Sequence, residues 1–406
     1  MDALKDWRDG RDGRDERDRR EERDGRREQD RREERDRRDE RDRTETGAHA
    51  LREARALLVL DQTRGIDLPA IARLVQAFGS GERALAAPRQ EFAAVAGPGP
   101  AAMRDDRSVR DAVDRALAEA DRMGMLVCTW QDAAYPERLR HLADPPPVMF
   151  LRGRPALMSG RTVAVVGARR ATARARDVAG QIGFRVARAG VTVVSGLALG
   201  VDGAAHAGAL EAGGGTVAVM GRGADEAYPS SHRRLFSRIV ERGLVVSEFL
   251  PGTPPLPHHF PRRNRILAAL SDVVVVVEAA AGSGALSTSR HALDMGRDVW
   301  AVPGPIDTSG CVGSNEMIRD GAQPLISVPD FVEAVAGPSD TSTQPELRPS
   351  GPPGRVLDEL GDECLGIDAL ACRAGMLVSE TLALLTELEL TGWVRQLPGM
   401  RFRRAA

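Results

Sequence analysis

The stretch FPRRNRILAALSDVVVVVEA, residues 260–279, joins a basic, ring-bearing start to an apolar finish. The finish decides the fold. A helical segment runs into five consecutive valines, Val273–Val277. An apolar run without alternation is a strand covered on both faces, the mark of a parallel sheet between helices. The start then stands at the sheet's edge. Arg262, Arg263 and Arg265 are there either as a solvated rim or as groups that hold an anion.

The same pattern repeats outward from this segment. Candidate strands are TVAVVG (162–167), VTVVSG (191–196), TVAVMG (216–221), LVVSEF (244–249), DVVVVVEA (272–279) and DVWAVPG (298–304). Between the first two, Ala175, Val178, Ala179, Ile182 and Val186 recur at helical spacing. Strands alternating with helices predict an α/β fold with a doubly wound, mainly parallel sheet over residues 126–336. Residues 48–125 read as a small helical domain. Its GPG at 97–99 resembles a helix-hairpin-helix turn, although Pro98 and Pro100 remove two backbone donors. Residues 337–352 read as a Pro/Ser/Gly linker. Residues 353–406 read as three helices and a hairpin, a winged helix.

Composition limits the partners. Lys5 is the only lysine, so arginine supplies the cations, and Arg binds phosphate bidentately. Residues 1–45 hold 17 basic and 19 acidic side chains, and the rest of the chain has 40 of each. The segment 1–47 therefore reads as a charged, disordered tail. Any anion site must come from local clustering. The four cysteines show neither C-x-x-C nor zinc spacing, which fits a reducing compartment. With no apolar run of membrane length and no signal core, the reading is a cytoplasmic protein with no membrane partner.

Ligands of open α/β sheets bind beyond the carboxyl ends of the strands. Arg169, Arg233, Arg234, Arg263 and Arg265 all fall in strand-end segments, and Phe260 adds an aromatic face. Cations that follow a backbone, with a ring for stacking, describe single-stranded nucleic-acid binding. Enzymatic patterns fail. The first turn has Gly167 but alanines where a dinucleotide fingerprint needs glycines, and there is no P-loop. Asp202 and His206 share a helix face without further metal ligands. They read as a helix cap and a hydrogen bond within the helix. Glu248 and Glu278 end strands and are placed to order the basic loops by ion pairing. No catalytic residue, metal or cofactor is assigned.

VAVVGARRATARA, SGLALGVDGAAHAGAL, YPSSHRRLF, the FPRRNRI segment, SGALSTSRHALDMGRDVWAVPG and GSNEMIRDGA occur in the order seen in the DNA processing protein A family (DprA/Smf), which this chain resembles over roughly residues 50–404. The resemblance implies an extended Rossmann-like core that is not an enzyme. It implies a homodimer that binds and protects incoming single-stranded DNA. It also implies loading of a RecA-type recombinase during natural transformation, with a single-strand DNA-binding protein as a further partner. The positions matching the family's DNA pocket are Arg169, Gly196, Arg234, Phe260, Arg263, Asn264, Arg265, Ser283, Gly284, Ala285 and Thr288. Arg262 falls at a variable position and reads as a rim charge. Three departures are Ala168 for a hydroxyl residue, His232 for asparagine and Ala285 for serine. The competing reading on a similar fold is a nucleotide-phosphate-binding hydrolase of the phosphoribohydrolase type, which lacks its PGGxGT loop here.

In the C-terminal domain Ser379 reads as the cap of the third helix. That helix carries Glu380, Glu387 and Glu389 and no arginine through residue 391, so phosphate should repel it. Arg395, Arg401, Arg403 and Arg404 fall in the wing. A protein-contact role is the preferred reading over duplex recognition.

Overall fold

The computed structural model describes residues 47, 49–336, 349, 351–361, 363–390 and 393–404. The charged tail and the linker read from the sequence lie outside these, apart from a few residues at their margins. Two compact units divide the chain, Met1–Val335 and Ala336–Ala406. No single helix among the described residues is long and apolar enough to cross a membrane.

The first unit opens with helices α1 (49–62), α2 (Leu68–Phe78), α3 (Gly81–Ala86), α4 (Arg89–Ala96), α5 (Pro98–Met103) and α6 (Arg107–Arg122). The GPG turn does separate two helices: Gly97 has φ 93°, and Pro98 begins α5, where its missing N–H costs nothing. There follow β1 (Leu126–Thr129), α7 (Glu137–Arg140), β2 (Val148–Gly153), β3 (Thr162–Val166), α8 (Ala173–Arg188), β4 (Thr192–Ser195), α9 (Val201–Glu211) and β5 (Thr216–Val219). Next come α10 (Arg233–Arg242), β6 (Leu244–Ser247), α11 (His259–Ala269), β7 (Val273–Val276), α12 (Gly284–Asp294), β8 (Asp298–Ala301), α13 (Val312–Arg319), β9 (Gln323–Pro324) and α14 (Val328–Ala336).

Nine strands form one sheet in the order β1-β2-β6-β5-β4-β3-β7-β8-β9. From β6 across to β9 every pairing is parallel, while β2 joins β6, and β1 joins β2, antiparallel. All six strands read from the sequence are present. The valine run pairs Val163 with Val273 on one side and Asp298 with Val273 on the other. Val274, Val275 and Val276 are wholly buried. The chain moves outward from β3 through β4, β5 and β6, then returns to β7 beside β3 and moves the other way. The winding direction therefore reverses between β3 and β7, the switch point at which such sheets bind ligands.

Helices cover both faces. Ile266, Leu267, Ala268, Ala269 and Leu270 of α11 and its end join the apolar cluster that holds Ala164, Val166, Val274 and Val276. Burying a leucine such as Leu267 contributes roughly 1.5–3 kcal/mol. α8 and α9 approach backbone to backbone. A Cβ at Gly183 would overlap Ala205 O, and one at Gly208 would overlap Gly180 O, so only glycine fits. The sequence places a boundary near residue 125, yet one apolar cluster runs across it, from Leu57, Ile71 and Phe92 to Phe150, Met220 and Phe236.

The second unit contains α15 (Pro352–Leu360), β10 (Cys364–Gly366), α16 (Ile367–Ala374), α17 (Val378–Leu390), β11 (Val394–Leu397) and β12 (Arg401–Arg404). Its three strands run in the order β10-β12-β11, and Val356, Leu360, Leu370, Leu385, Leu388 and Phe402 form its core. This is a winged helix. Ser379 is inside α17 rather than its cap: Thr381 N donates to Leu377 O at 2.9 Å, and the Glu380 carboxylate accepts from Leu377 N at 3.3 Å.

Candidate nucleic-acid cleft

A cavity of about 500 Å³ opens at the carboxyl ends of β3, β4 and β7, at the switch point. Gly167 and Arg169 enter it from the loop after β3, Ala198 and Asp202 from the segment after β4, and Tyr228 from the segment after β5. Phe260, Arg263 and Asn264 come from α11; Ser283, Gly284, Ala285, Ser287 and Thr288 come from the start of α12. Eight of the positions read from the sequence thus meet in one place.

The exposed Arg169 guanidinium lies 4.8 Å over the Phe260 ring. Tyr228 stands beside Phe260 with ring centroids 5.7 Å apart, tilted by 38°. The cleft therefore offers a cation and two π-faces together. At α12 the Ser283 hydroxyl accepts from Ala285 N at 3.3 Å. The remaining amides of that first turn give the cleft the positive end of a helix. Asn264 Nδ2 donates to Gly284 O and Ser287 Oγ, each at 3.2 Å, which fixes α12 to α11.

Arg263 is buried beneath this surface. Its Nη1 donates to Gly196 O at 3.0 Å and to Val219 O, and its Nε to Asn264 Oδ1 at 3.2 Å. Burial lowers its pKa to about 10, with Asp202 opposing the shift and Arg169 adding to it. It stays a cation at neutral pH. A Cβ at Gly196 would overlap the Arg263 guanidinium, so a larger residue there would displace Arg263 from its carbonyl partners. Asp202 Oδ2 accepts from Gly196 N at 3.1 Å and Ala198 N at 3.3 Å. His232 Nδ1 donates to Leu197 O at 3.1 Å. The Gly196–Ala198 turn, with Leu197 at the unusual φ of 56°, is therefore held from three sides. His232 has a definite role here, and it is internal.

Seven sequence expectations change. Arg265 is not in the cleft. Its Nε pairs with Asp144 at 2.9 Å and its Nη2 with Glu248 at 2.8 Å. Arg262, read as a rim charge, instead bridges Glu248 at 2.9 Å and Asp61 of α1 at 3.4 Å, over the Phe249 ring. The reason is helical: positions three apart share a face, so 262 and 265 point together and 263 points away. Arg234 is exposed on α10 and Gly196 lies behind Arg263; neither lines the cleft. Asp202 ties down the preceding turn rather than capping its helix. His206 hydrogen-bonds not within α9 but to Thr216 Oγ1 of β5 at 2.7 Å. Glu278 accepts from Thr172 Oγ1 at 2.7 Å rather than from a cation. Tyr228, Ser287, Pro255, Pro257 and Pro261 also line the cleft without having been singled out. Only Tyr228, one of two tyrosines in the chain, carried a usable signal.

Fold and site define an open, doubly wound α/β protein with a cationic, aromatic cleft at its switch point. Among the described residues no cluster of His, Cys, Asp or Glu is arranged to hold a metal. The model of the DNA recombination-mediator protein A family matches residues 126–336, and that of the DprA winged helix domain matches 340–400. Protein Smf of Escherichia coli is 38% identical over 283 residues, covering 67% of this chain and 76% of that protein. DNA processing protein DprA of Streptococcus pneumoniae is 40% identical over 201 residues, covering 50% of this chain and 71% of that protein. The X-ray structure of the Streptococcus pneumoniae DprA superposes with a TM-score of 0.61 at 31% identity, covering 68% of this chain and 96% of that one. The chain belongs to the DNA recombination-mediator protein A (DprA/Smf) family.

Proposed function

We propose that the cleft binds single-stranded DNA. Bases stack on Phe260 and Tyr228, and phosphate meets Arg169 and the amides at the start of α12. Arg263 and Asn264 shape the cleft from beneath. The observation that carries the reading is the Arg169 guanidinium stacked 4.8 Å over Phe260 inside the switch-point cleft. Stacking of this kind tolerates any base, since every base has a π-face. Binding should therefore prefer single strands and show little sequence preference. With family membership, the reading extends to a homodimer that delivers the protected strand to a RecA-type recombinase during DNA uptake.

The test is fluorescence anisotropy with oligo-dT and a duplex of equal length. Phe260→Ala should weaken oligo-dT binding by about 1–3 kcal/mol, roughly five- to 150-fold. Unchanged affinity would remove the cleft from the proposal. Recombinase delivery is checked separately, by strand exchange on DNA precoated with a single-strand DNA-binding protein. The hydrolase reading needs a free carboxylate. The one carboxylate lining the cleft among the described residues, Asp202, is occupied by two amides and faces Arg263. Release of free base from a nucleoside monophosphate by purified protein would restore that alternative.

A further inference from the structure

Stacked bases and a passing backbone leave one feature of the cleft unexplained, the first turn of α12. Gly284, Ser287 and Thr288 stand three and four residues apart, so they share a face of the helix, and all three line the cleft. Leu286 turns to the apolar core instead. Thr288 is the unusual member. Its side chain is only 1% exposed, and its hydroxyl has no partner among the described residues, yet that hydroxyl is not sealed off and opens on the cavity. The neighbouring Ser289, equally buried, donates to Leu286 O at 3.0 Å. A buried hydroxyl left unpaired is destabilising, and a ligand atom that accepts from it removes that cost. Ser287 Oγ accepts from Asn264 Nδ2 at 3.2 Å, so its own hydrogen is left to donate. Gly284 opens the helix, so its amide has no helical partner, and a Cβ there would meet nothing within 4 Å. Arg169 adds an exposed guanidinium to the same cavity.

We infer that this corner of the cleft takes a phosphomonoester, a terminal phosphate rather than one inside a strand. The site rests on the single-strand reading of the cleft and names what sits at its deep end. Depth and donor count decide between the two kinds of phosphate. A phosphodiester offers two free oxygens, and its chain must leave on both sides. A monoester offers three free oxygens and a charge of about −1.5 to −2 at neutral pH. Two hydroxyls, an amide and a guanidinium match the second set of acceptors better than the first. The Thr288 hydroxyl, on a side chain so deeply buried, is reached by a group that enters end-on. A cavity of about 500 Å³ encloses one small ligand rather than a strand running through it. Asp202, which also lines the cavity, gives one oxygen to two amides and is faced by the Arg263 cation, so its charge is offset.

The experiment is a competition on the full chain. The probe is a labelled oligo-dT of about six nucleotides without terminal phosphate. The competitors are unlabelled strands of the same length with a phosphate at the 5′ end, at the 3′ end or at neither, together with thymidine 5′-monophosphate and thymidine. A phosphate-bearing form should compete at least about tenfold better than its phosphate-free counterpart, because hydrogen bonds to a charged group are the strong ones. A gain confined to the strands assigns the site to strand ends, and a gain confined to the monophosphate assigns it to a free nucleotide. Thr288→Val keeps the shape and removes the hydroxyl, so it should cut the gain several-fold. The gain is read as a ratio within each variant, so a general loss of affinity cancels. Equal competition by phosphate-bearing and phosphate-free forms, for strands and nucleotide alike, overturns the inference, and so does a full gain in Thr288→Val. If Phe260→Ala weakens the probe while no terminal phosphate helps, the terminal site alone falls. If Phe260→Ala also leaves the probe unchanged, the single-strand reading falls with it.

Discussion

Arg263 and Arg169 approach the same cleft with different consequences. Arg263 is buried, its N–H groups are used by two backbone carbonyls, and Asp202 faces its charge. Removing it leaves those carbonyls and a buried carboxylate uncompensated, a loss of about 3–5 kcal/mol. Arg169 is exposed, so its removal should leave stability within about 0.5 kcal/mol of wild type. Urea unfolding of Arg263→Met and Arg169→Ala checks this; matching midpoints for Arg263→Met and wild type would contradict the buried-strut role. His206 gives a pH signature. Thr216 Oγ1 donates to Val193 O at 2.9 Å, so it accepts from His206 Nδ1–H, and the buried Nε2 is left bare. Burial, with His232 and Arg263 adding, lowers this imidazole's pKa from 6.5 to about 3. Between those values the unfolded chain takes up a proton that the folded chain refuses, so stability is lost as pH falls through the window. The slope is at most about 1.4 kcal/mol per pH unit. His206→Asn, which keeps a donor near the Nδ1 position, should abolish it. The gap in unfolding free energy between wild type and variant should narrow from about pH 7 to about pH 4. A constant gap would rule it out.

Helix α11 shows how one element serves two faces. Phe260, Arg263 and Asn264 face the cleft, while Arg262 and Arg265 face Glu248. Ile266, Leu267 and Leu270 then anchor the same helix in the core. Glu248 sits between two guanidiniums, and Arg262 extends the network to Asp61 on α1. Burial decides which partner matters more. The Arg265 side chain is 6% exposed and that of Arg262 is 36% exposed. Arg265→Ala should cost about 3–5 kcal/mol and Arg262→Ala about 1 kcal/mol. Equal or reversed losses in denaturant titrations would refute this ranking. The sequence made the helix and its basic start visible but not the split between its faces. Reading residues as a set collected at a strand end put 263 and 265 together, whereas 3.6 residues per turn puts 262 and 265 together. The strands were legible because valine runs have few alternative readings. β9 was not, since two residues that include Pro324 carry no period. β1 was missed because it is a four-residue edge strand, and β2 because it follows directly on three prolines.

Across the whole molecule the charges nearly cancel, with 57 basic and 59 acidic side chains, so nucleic-acid affinity must be local. Counting strand-end arginines gives five candidate phosphate contacts. Among the described residues, burial, ion pairing and placement cut the cleft's accessible cations to Arg169, with Arg263 below it and Arg265 already neutralised. The two pictures differ in salt dependence. Five phosphate contacts on a single strand would give a slope of log K against log salt near −3.5, because each contributes about −0.7. One exposed arginine plus helix-start amides should give a slope of about −1, with stacking on Phe260 and Tyr228 carrying most of the remaining, salt-independent affinity. The measurement calls for a strand of about six nucleotides, which fills a site of cleft size without reaching a distant surface. A slope of about −1 that approaches zero in Arg169→Ala is the expected result. A slope near −3.5 that survives Arg169→Ala would mean that other surface arginines, Arg234 first among them, carry the strand, and that the cleft is secondary to them.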